Sequence, residues 1–161
     1  MIPDDLCIRP TTPDDVEALV QLTAATGMFK PLELDTLQEI FADYFGDIPT
    51  SDQHSRTLVT EGSVRGFVYF APAPMTDRTW YLYWIVVAAD AHGRGYGRAL
   101  LRHAEDEIRR RGGRVLFIET SGLPHYERTR RFYRQQGYDQ EAILRDFYAS
   151  GDDMIVFRKV L

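Results

Sequence analysis

Trp84-Ile-Val-Val-Ala-Ala-Asp-Ala-His-Gly-Arg-Gly-Tyr-Gly-Arg-Ala-Leu-Leu101 is the stretch on which the reading of the fold turns. It begins inside an apolar run, Trp80 to Val87, rich in aromatic and β-branched residues, which predicts a strand covered on both faces. Glycines follow at 93, 95 and 97, after which Leu100, Leu101, Ala104 and Ile108 share a helical face that ends at Gly112-Gly113. Glycines, lacking Cβ, let backbone N–H groups converge on an anion, and a helix N-terminus adds partial positive charge. Arg94 and Arg98 stand beside the turn. The physical reading is a phosphate-binding loop; the plain alternative is a loop that only turns a corner.

A Walker A loop would end in Gly-Lys-Ser/Thr, but Gly97-Arg98-Ala99 offers neither the lysine nor a magnesium-binding hydroxyl. The dinucleotide fingerprint is a closer rival, because a second apolar segment, Val115 to Ile118, ends at Glu119, near where a ribose-binding acid would fall. Against it, Arg98 occupies the place of the third glycine, and five residues separate the strand from Gly93.

Outward from the loop, Leu6 to Arg9 reads as a short strand. Thr12-Pro13-Asp14-Asp15 reads as a helix start, with the Thr12 hydroxyl as cap and Pro13 at the first position. Pro31 opens a second helix carrying Leu34, Leu37, Ile40, Phe41 and Tyr44, and Gly46 to Asp52 is a polar loop. Thr57 to Thr60 and Val64 to Phe70 flank Glu61-Gly62-Ser63 as a hairpin. Tyr126 to Gln136 is helical, and Ala142 to Tyr148 with Met154 to Val160 forms a second hairpin. The order β-α-α-β-β-β-α-β-α-β-β predicts one α/β (α+β) domain, 1–161, with a mixed sheet.

Composition narrows the function. The chain has 161 residues and a net charge of −5, which argues against a protein that coats nucleic acid. Residues 94 to 134 nevertheless hold eleven of the nineteen basic residues against five acids. That stretch suits a localised anion, or else arginines on solvated helix faces. One cysteine, Cys7, excludes an internal disulfide and a Cys-based zinc cluster and reads as inert. His54, His103 and His125 have no metal-site spacing and read as surface or capping residues. No apolar run reaches the ~20 residues needed to span a bilayer. The start, Met1-Ile-Pro-Asp-Asp, has no secretory-signal character, so the expectation is a cytoplasmic protein without metal, nucleic acid or membrane partners.

His92-Gly-Arg-Gly-Tyr-Gly-Arg98 resembles the pyrophosphate loop of the GNAT superfamily of N-acetyltransferases, Gln/Arg-x-x-Gly-x-Gly/Ala, with His92 where Gln or Arg is usual. Thr129-Arg-Arg-Phe-Tyr-Arg-Gln-Gln-Gly-Tyr138 resembles that family's late-helix signature, Ala-x-x-Phe-Tyr-x-x-x-Gly-Phe. The resemblance implies a central, mostly antiparallel sheet of about 7 strands flanked by about 4 helices, with acetyl-CoA as co-substrate. It also implies an amine acceptor, direct transfer in a ternary complex, and by family habit a homodimer. His92, Gly93, Arg94, Gly95, Tyr96, Gly97 and Arg98 would hold the pyrophosphate. Ile85, Val86 and Val87 would meet the acyl group and pantetheine arm, where the fourth and fifth strands of this family splay apart.

The chemistry that the resemblance implies sets three demands. An ammonium with pKa near ~10 must lose a proton, an oxyanion must be stabilised, and the departing thiolate benefits from a proton. Tyr133 matches the tyrosine that faces the sulfur in this family, its other reading being an aromatic that packs a helix on the sheet. Glu119 matches the basic glutamate of the ribosomal-protein N-terminal alanine acetyltransferases, a branch of the superfamily. Its other reading is a strand-end carboxylate paired with an arginine. The asparagine of that branch's next loop has no counterpart in Ser121 to Tyr126. Tyr81 and Tyr83 alternate on the central strand and suit either an acceptor pocket or the core. Ser121 lacks the Gly-x-Ser-x-Gly elbow of serine hydrolases. The competing functions are a non-catalytic acyl-CoA sensor on the same fold and, third, an NAD-type oxidoreductase.

Overall fold

The computed structural model describes residues 3–48 and 52–161. Met1-Ile2 and residues 49–51 of the expected polar loop therefore lie outside the described residues. The elements are β1 (Cys7–Pro10), α1 (Val16–Ala25), α2 (Pro31–Tyr44), β2 (His54–Thr60), β3 (Ser63–Pro72) and β4 (Thr79–Val87). They continue with α3 (Tyr96–Arg110), β5 (Val115–Ser121), α4 (Glu127–Gln135), β6 (Asp139–Ala149) and β7 (Asp152–Val160). The expected order is the order found. The seven strands form one mixed sheet, β1-β2-β3-β4-β5-β7-β6. β1–β2, β2–β3, β5–β7 and β6–β7 are antiparallel, and β4–β5 is parallel. A parallel pair cannot be closed by a tight turn, so the chain between β4 and β5 must cross over, and α3 is that crossover.

The first helix corrects the expected cap. The Thr12 hydroxyl does not cap it; the Asp15 carboxylate instead accepts the Thr12 N–H at 2.8 Å. Pro13–Asp15 forms a 3-10 turn and the α-helix begins at Val16. Arg9 grips Asp15 through two charge-assisted bonds of 2.7 and 2.8 Å, which hold its carboxyl down at about 2.

The chain clusters into two compact units, one of Met1–Ala71 with Trp84–Ala104 and one of Pro72–Tyr83 with Glu105–Leu161. In the first, Leu19, Leu37, Phe41, Phe67, Tyr69 and Val86 are buried together. Each contributes roughly 1.5–3 kcal/mol by leaving water. Gly66 lets β3 approach the end of β4, since a Cβ there would lie 2.5 Å from the Val86 carbonyl oxygen. His54, expected at the surface, is buried and stacks on Phe70 at 5.3 Å between ring centres. Cys7 lies exposed on β1.

In the second unit, β4 and β5 pair from Thr79↔Val115 to Leu82↔Ile118, and β5 pairs with β7 as far as Ser121↔Met154. Alternation then sorts the side chains. Trp80, Leu82, Leu116, Ile118 and Phe157 are buried. Gly113, just after α3, lies close against both Ile108 and Trp80, and Tyr133 of α4 packs on Phe157 at 5.4 Å, so helices cover this face. Glu105 of α3, 3% exposed, accepts bonds from Tyr138 at 2.9 Å and from Lys159 at 2.9 and 3.0 Å. The opposite face carries Tyr81, Tyr83, Phe117 and Glu119, and Tyr83 is 53% exposed. The expectation that β4 is covered on both faces is therefore corrected. An unbroken apolar run marks a doubly covered strand only where both sides find a partner, and the tyrosines keep polar tips that tolerate water. β5 also runs past Ile118, which puts Glu119 inside the strand and not at its end.

Candidate active site

The glycine loop belongs to the first unit. Gly93 and Gly95 have φ of +80° and +82°, a region that L side chains rarely adopt. α3 begins at Tyr96, two residues earlier than the glycine spacing suggests, so Gly97 lies in the helix and not in the loop. Ala99 N–H donates to the Gly95 carbonyl at 3.0 Å. The N–H groups of Tyr96, Gly97 and Arg98 accordingly sit in the first turn, where a helix offers donors no internal acceptor. The His92 ring donates from Nε2 to the Val87 carbonyl at 2.9 Å, tying the loop to the end of β4. Sequence reasoning gave His92 only a place in the cradle, not this tether. Arg94 and Arg98 are exposed and form no ion pair among the described residues. A diphosphate fits such a site: converging donors, two free cations and no side chain at the two glycines. On β4, Val86 turns into the core, while Ile85 and Val87 are half-buried.

The positive stretch divides between its two readings. Arg109 pairs with Glu105 and Asp106, and Arg111 with Glu107. Arg130, only 8% exposed, donates to the Ser121 and Leu123 carbonyls at 2.7 and 2.9 Å and pairs with Glu127. These arginines build structure, unlike Arg94 and Arg98.

The second unit carries the acid–base candidates. Glu119 has no hydrogen bond or ion pair among the described residues, which removes the reading of a carboxylate paired with an arginine. It is exposed, yet partial desolvation raises its carboxyl above the usual range. Tyr81 stands opposite Phe117 in register, with ring centres 5.9 Å apart, and lies 5.8 Å from Tyr83. Burial raises both phenols, and the Glu119 charge adds to each shift. Phe117 went unnoticed in the sequence. Its place two residues before Glu119 on a strand was the available signal, because period two puts both on one face.

Tyr133 is 3% exposed and packed among Phe132, Tyr138 and Phe157. Burial pushes its phenol well above the ordinary value. Its hydroxyl has no hydrogen-bond partner among the described residues, and no buried side-chain nitrogen or oxygen there lacks one. Tyr133 lies on the Phe157 face and Glu119 on the opposite face, so the fold does not bring them into contact. Ser121 is buried and bonded to Asp152 and the Leu123 N–H, which excludes it as a nucleophile. No group of three or more metal-ligating side chains exists among the described residues.

The model of the Acetyltransferase (GNAT) family matches residues 19–138. The chain belongs to the GNAT acetyltransferase family. A GNAT-family protein from Desulfovibrio desulfuricans is 36% identical, with a TM-score of 0.91 over 96% of this chain and 98% of that one. The ribosomal-protein-S18-alanine N-acetyltransferase of Escherichia coli is 22% identical, with a TM-score of 0.77 over 96% of this chain and 93% of that one. An aminoglycoside 6'-N-acetyltransferase complexed with coenzyme A is 18% identical, with a TM-score of 0.76 over 96% of each chain. The last two show the shared fold alone. No curated protein matches the sequence significantly. As a GNAT enzyme the protein is an acyltransferase that uses acetyl-CoA. The sheet is the GNAT sheet, seven strands with four helices.

Proposed function

We propose that this GNAT enzyme acetylates a primary amine by direct attack in a ternary complex, with Glu119 as base and Tyr133 as acid. Residues 92–98 would hold the pyrophosphate of acetyl-CoA through first-turn N–H groups and Arg94 and Arg98. Ile85 to Val87 would meet the acyl group. The observation that carries the reading is the state of Glu119: a carboxylate with no cationic partner, beside Tyr81 and Phe117, with its pKa raised toward that of a working base.

The balance is simple. The amine lone pair forms the C–N bond, the C–S bond breaks, and sulfur leaves with the electron pair. Nitrogen sheds two protons, the first to Glu119 before attack and the second as the amide forms. Sulfur gains one from Tyr133, so one proton passes to solvent overall. Acid and base serve different atoms, Glu119 the attacking nitrogen and Tyr133 the leaving sulfur.

A thiol-release assay with a competent amine tests the roles. Glu119→Gln is expected to lower kcat about a hundredfold and Tyr133→Phe about tenfold, within or below the usual range for general acid–base groups. Thiol release unchanged in both variants would remove the roles. Acetyl-CoA binding without turnover of any amine would leave a sensor. The proposal places the enzyme in the cytoplasm, alongside acetyl-CoA. No helix among the described residues is long and apolar enough to cross a membrane.

A further inference from the structure

We infer, on the reading that Glu119 receives the amine, that the acceptor carries one positive charge on a flat apolar body held against Tyr81, Tyr83 and Phe117. The three rings form a continuous row, with Tyr81 5.8 Å from Tyr83 and 5.9 Å from Phe117, at interplanar angles of 34° and 40°. Such a row offers π faces to a cation and apolar area to its carrier. Tyr83, 53% exposed, is the member most open to a ligand.

Charge on this face sets the number of ammonium groups. Glu119 lies opposite Val156 in register, and Phe117 lies opposite Arg158. Arg158 forms no ion pair among the described residues, so a second ammonium beside the first would meet a guanidinium. The next carboxylate on the face, Asp139, stands across Arg158 on β6. Elsewhere in this unit Glu105 and Glu127 are already paired with cations. A polyamine or aminoglycoside needs carboxylates spaced along its length with no cation between them, and here Arg158 on β7 stands between the β5 carboxylate Glu119 and the β6 carboxylate Asp139. The Glu119 contribution to the raised phenols of Tyr81 and Tyr83 agrees with a carboxylate close to both rings.

Calorimetric titration of the full chain with 2-phenylethylamine, spermidine and kanamycin, with thiol release measured in parallel, tests the inference. The expected result is 2-phenylethylamine binding at least tenfold tighter than either polycation. Tyr83→Leu, which keeps bulk but loses the π face, is expected to weaken that binding about tenfold, and Tyr83→Phe to retain it. Acetyl-CoA affinity should be unchanged in both variants. Tighter polycation binding, no measurable 2-phenylethylamine binding, or indifference to Tyr83→Leu would overturn it. Tyr83-dependent binding without thiol release would uphold this acceptor class and reject the acid–base roles. Thiol release with polycations alone would do the reverse.

Discussion

Glu119 is held in a condition that costs the fold something. Its carboxyl is raised by desolvation, with no partner to offset the loss of water. The sign follows. A carboxyl whose folded pKa exceeds its unfolded value favours the folded state below the unfolded pKa, and that advantage is lost as pH rises through the folded pKa. At neutral pH the ionised group therefore weighs against stability, and Glu119→Gln should leave Tm unchanged or higher while activity falls. Calorimetry beside kinetics checks this, since a structural carboxylate would lose Tm on the same change. In the wild type, the acid limb of kcat/KM should lie above the ordinary carboxylate value of 4.5 and should disappear in Glu119→Gln.

Among the elements, β4 does two jobs. Its first half pairs with β5 and presents the tyrosines, while its last residues join the core of the first unit and receive the His92 bond. Gly66 on β3 sets how closely the strands lie at Val86. Gly66→Ala would push a Cβ to 2.5 Å from the Val86 carbonyl oxygen and to 3.2 Å from Leu100. Backbone is the atom it meets, so relief requires β4 to move. The expected cost is about 1–3 kcal/mol of stability, read by urea unfolding, together with a higher KM for acetyl-CoA. Glu105 illustrates a different debt to neighbours: Glu105→Gln leaves the Lys159 ammonium without its charge partner and should destabilise by roughly 3–5 kcal/mol.

Over the whole molecule, charge is segregated: the net is −5, yet residues 94 to 134 are locally basic. Arg109, Arg111, Arg114, Arg130 and Arg134 are engaged in the fold, but Arg94 and Arg98 are exposed beside the loop. Exposed charges are screened over about 8 Å at physiological salt. The KM for acetyl-CoA should therefore rise between ~0.05 M and ~0.5 M salt, and Arg94→Ala with Arg98→Ala should flatten that dependence. Coenzyme A at about 100 times its Kd should add roughly 2.7 kcal/mol, a thermal shift on the order of 5–10 °C for a chain of this length. No shift would count against the loop as its site.

The loop and the order of elements were legible in the sequence because both rest on local rules. Glycine tolerates φ near +80°, apolar period separates helix from strand, and the Gly93 to Gly97 spacing needs no distant partner to be read. Boundaries were less legible: the α-helix begins only at Val16, after a 3-10 turn whose Asp15 is held by Arg9, six residues back along the chain. What the tertiary structure alone decided was exposure and pairing. The run Trp80 to Val87 carries no mark saying that its tyrosine face stays open. Nor does Glu119 announce that it forms no ion pair among the described residues. Those outcomes depend on register between strands far apart in the chain, where one residue of slip would exchange the two faces of the sheet.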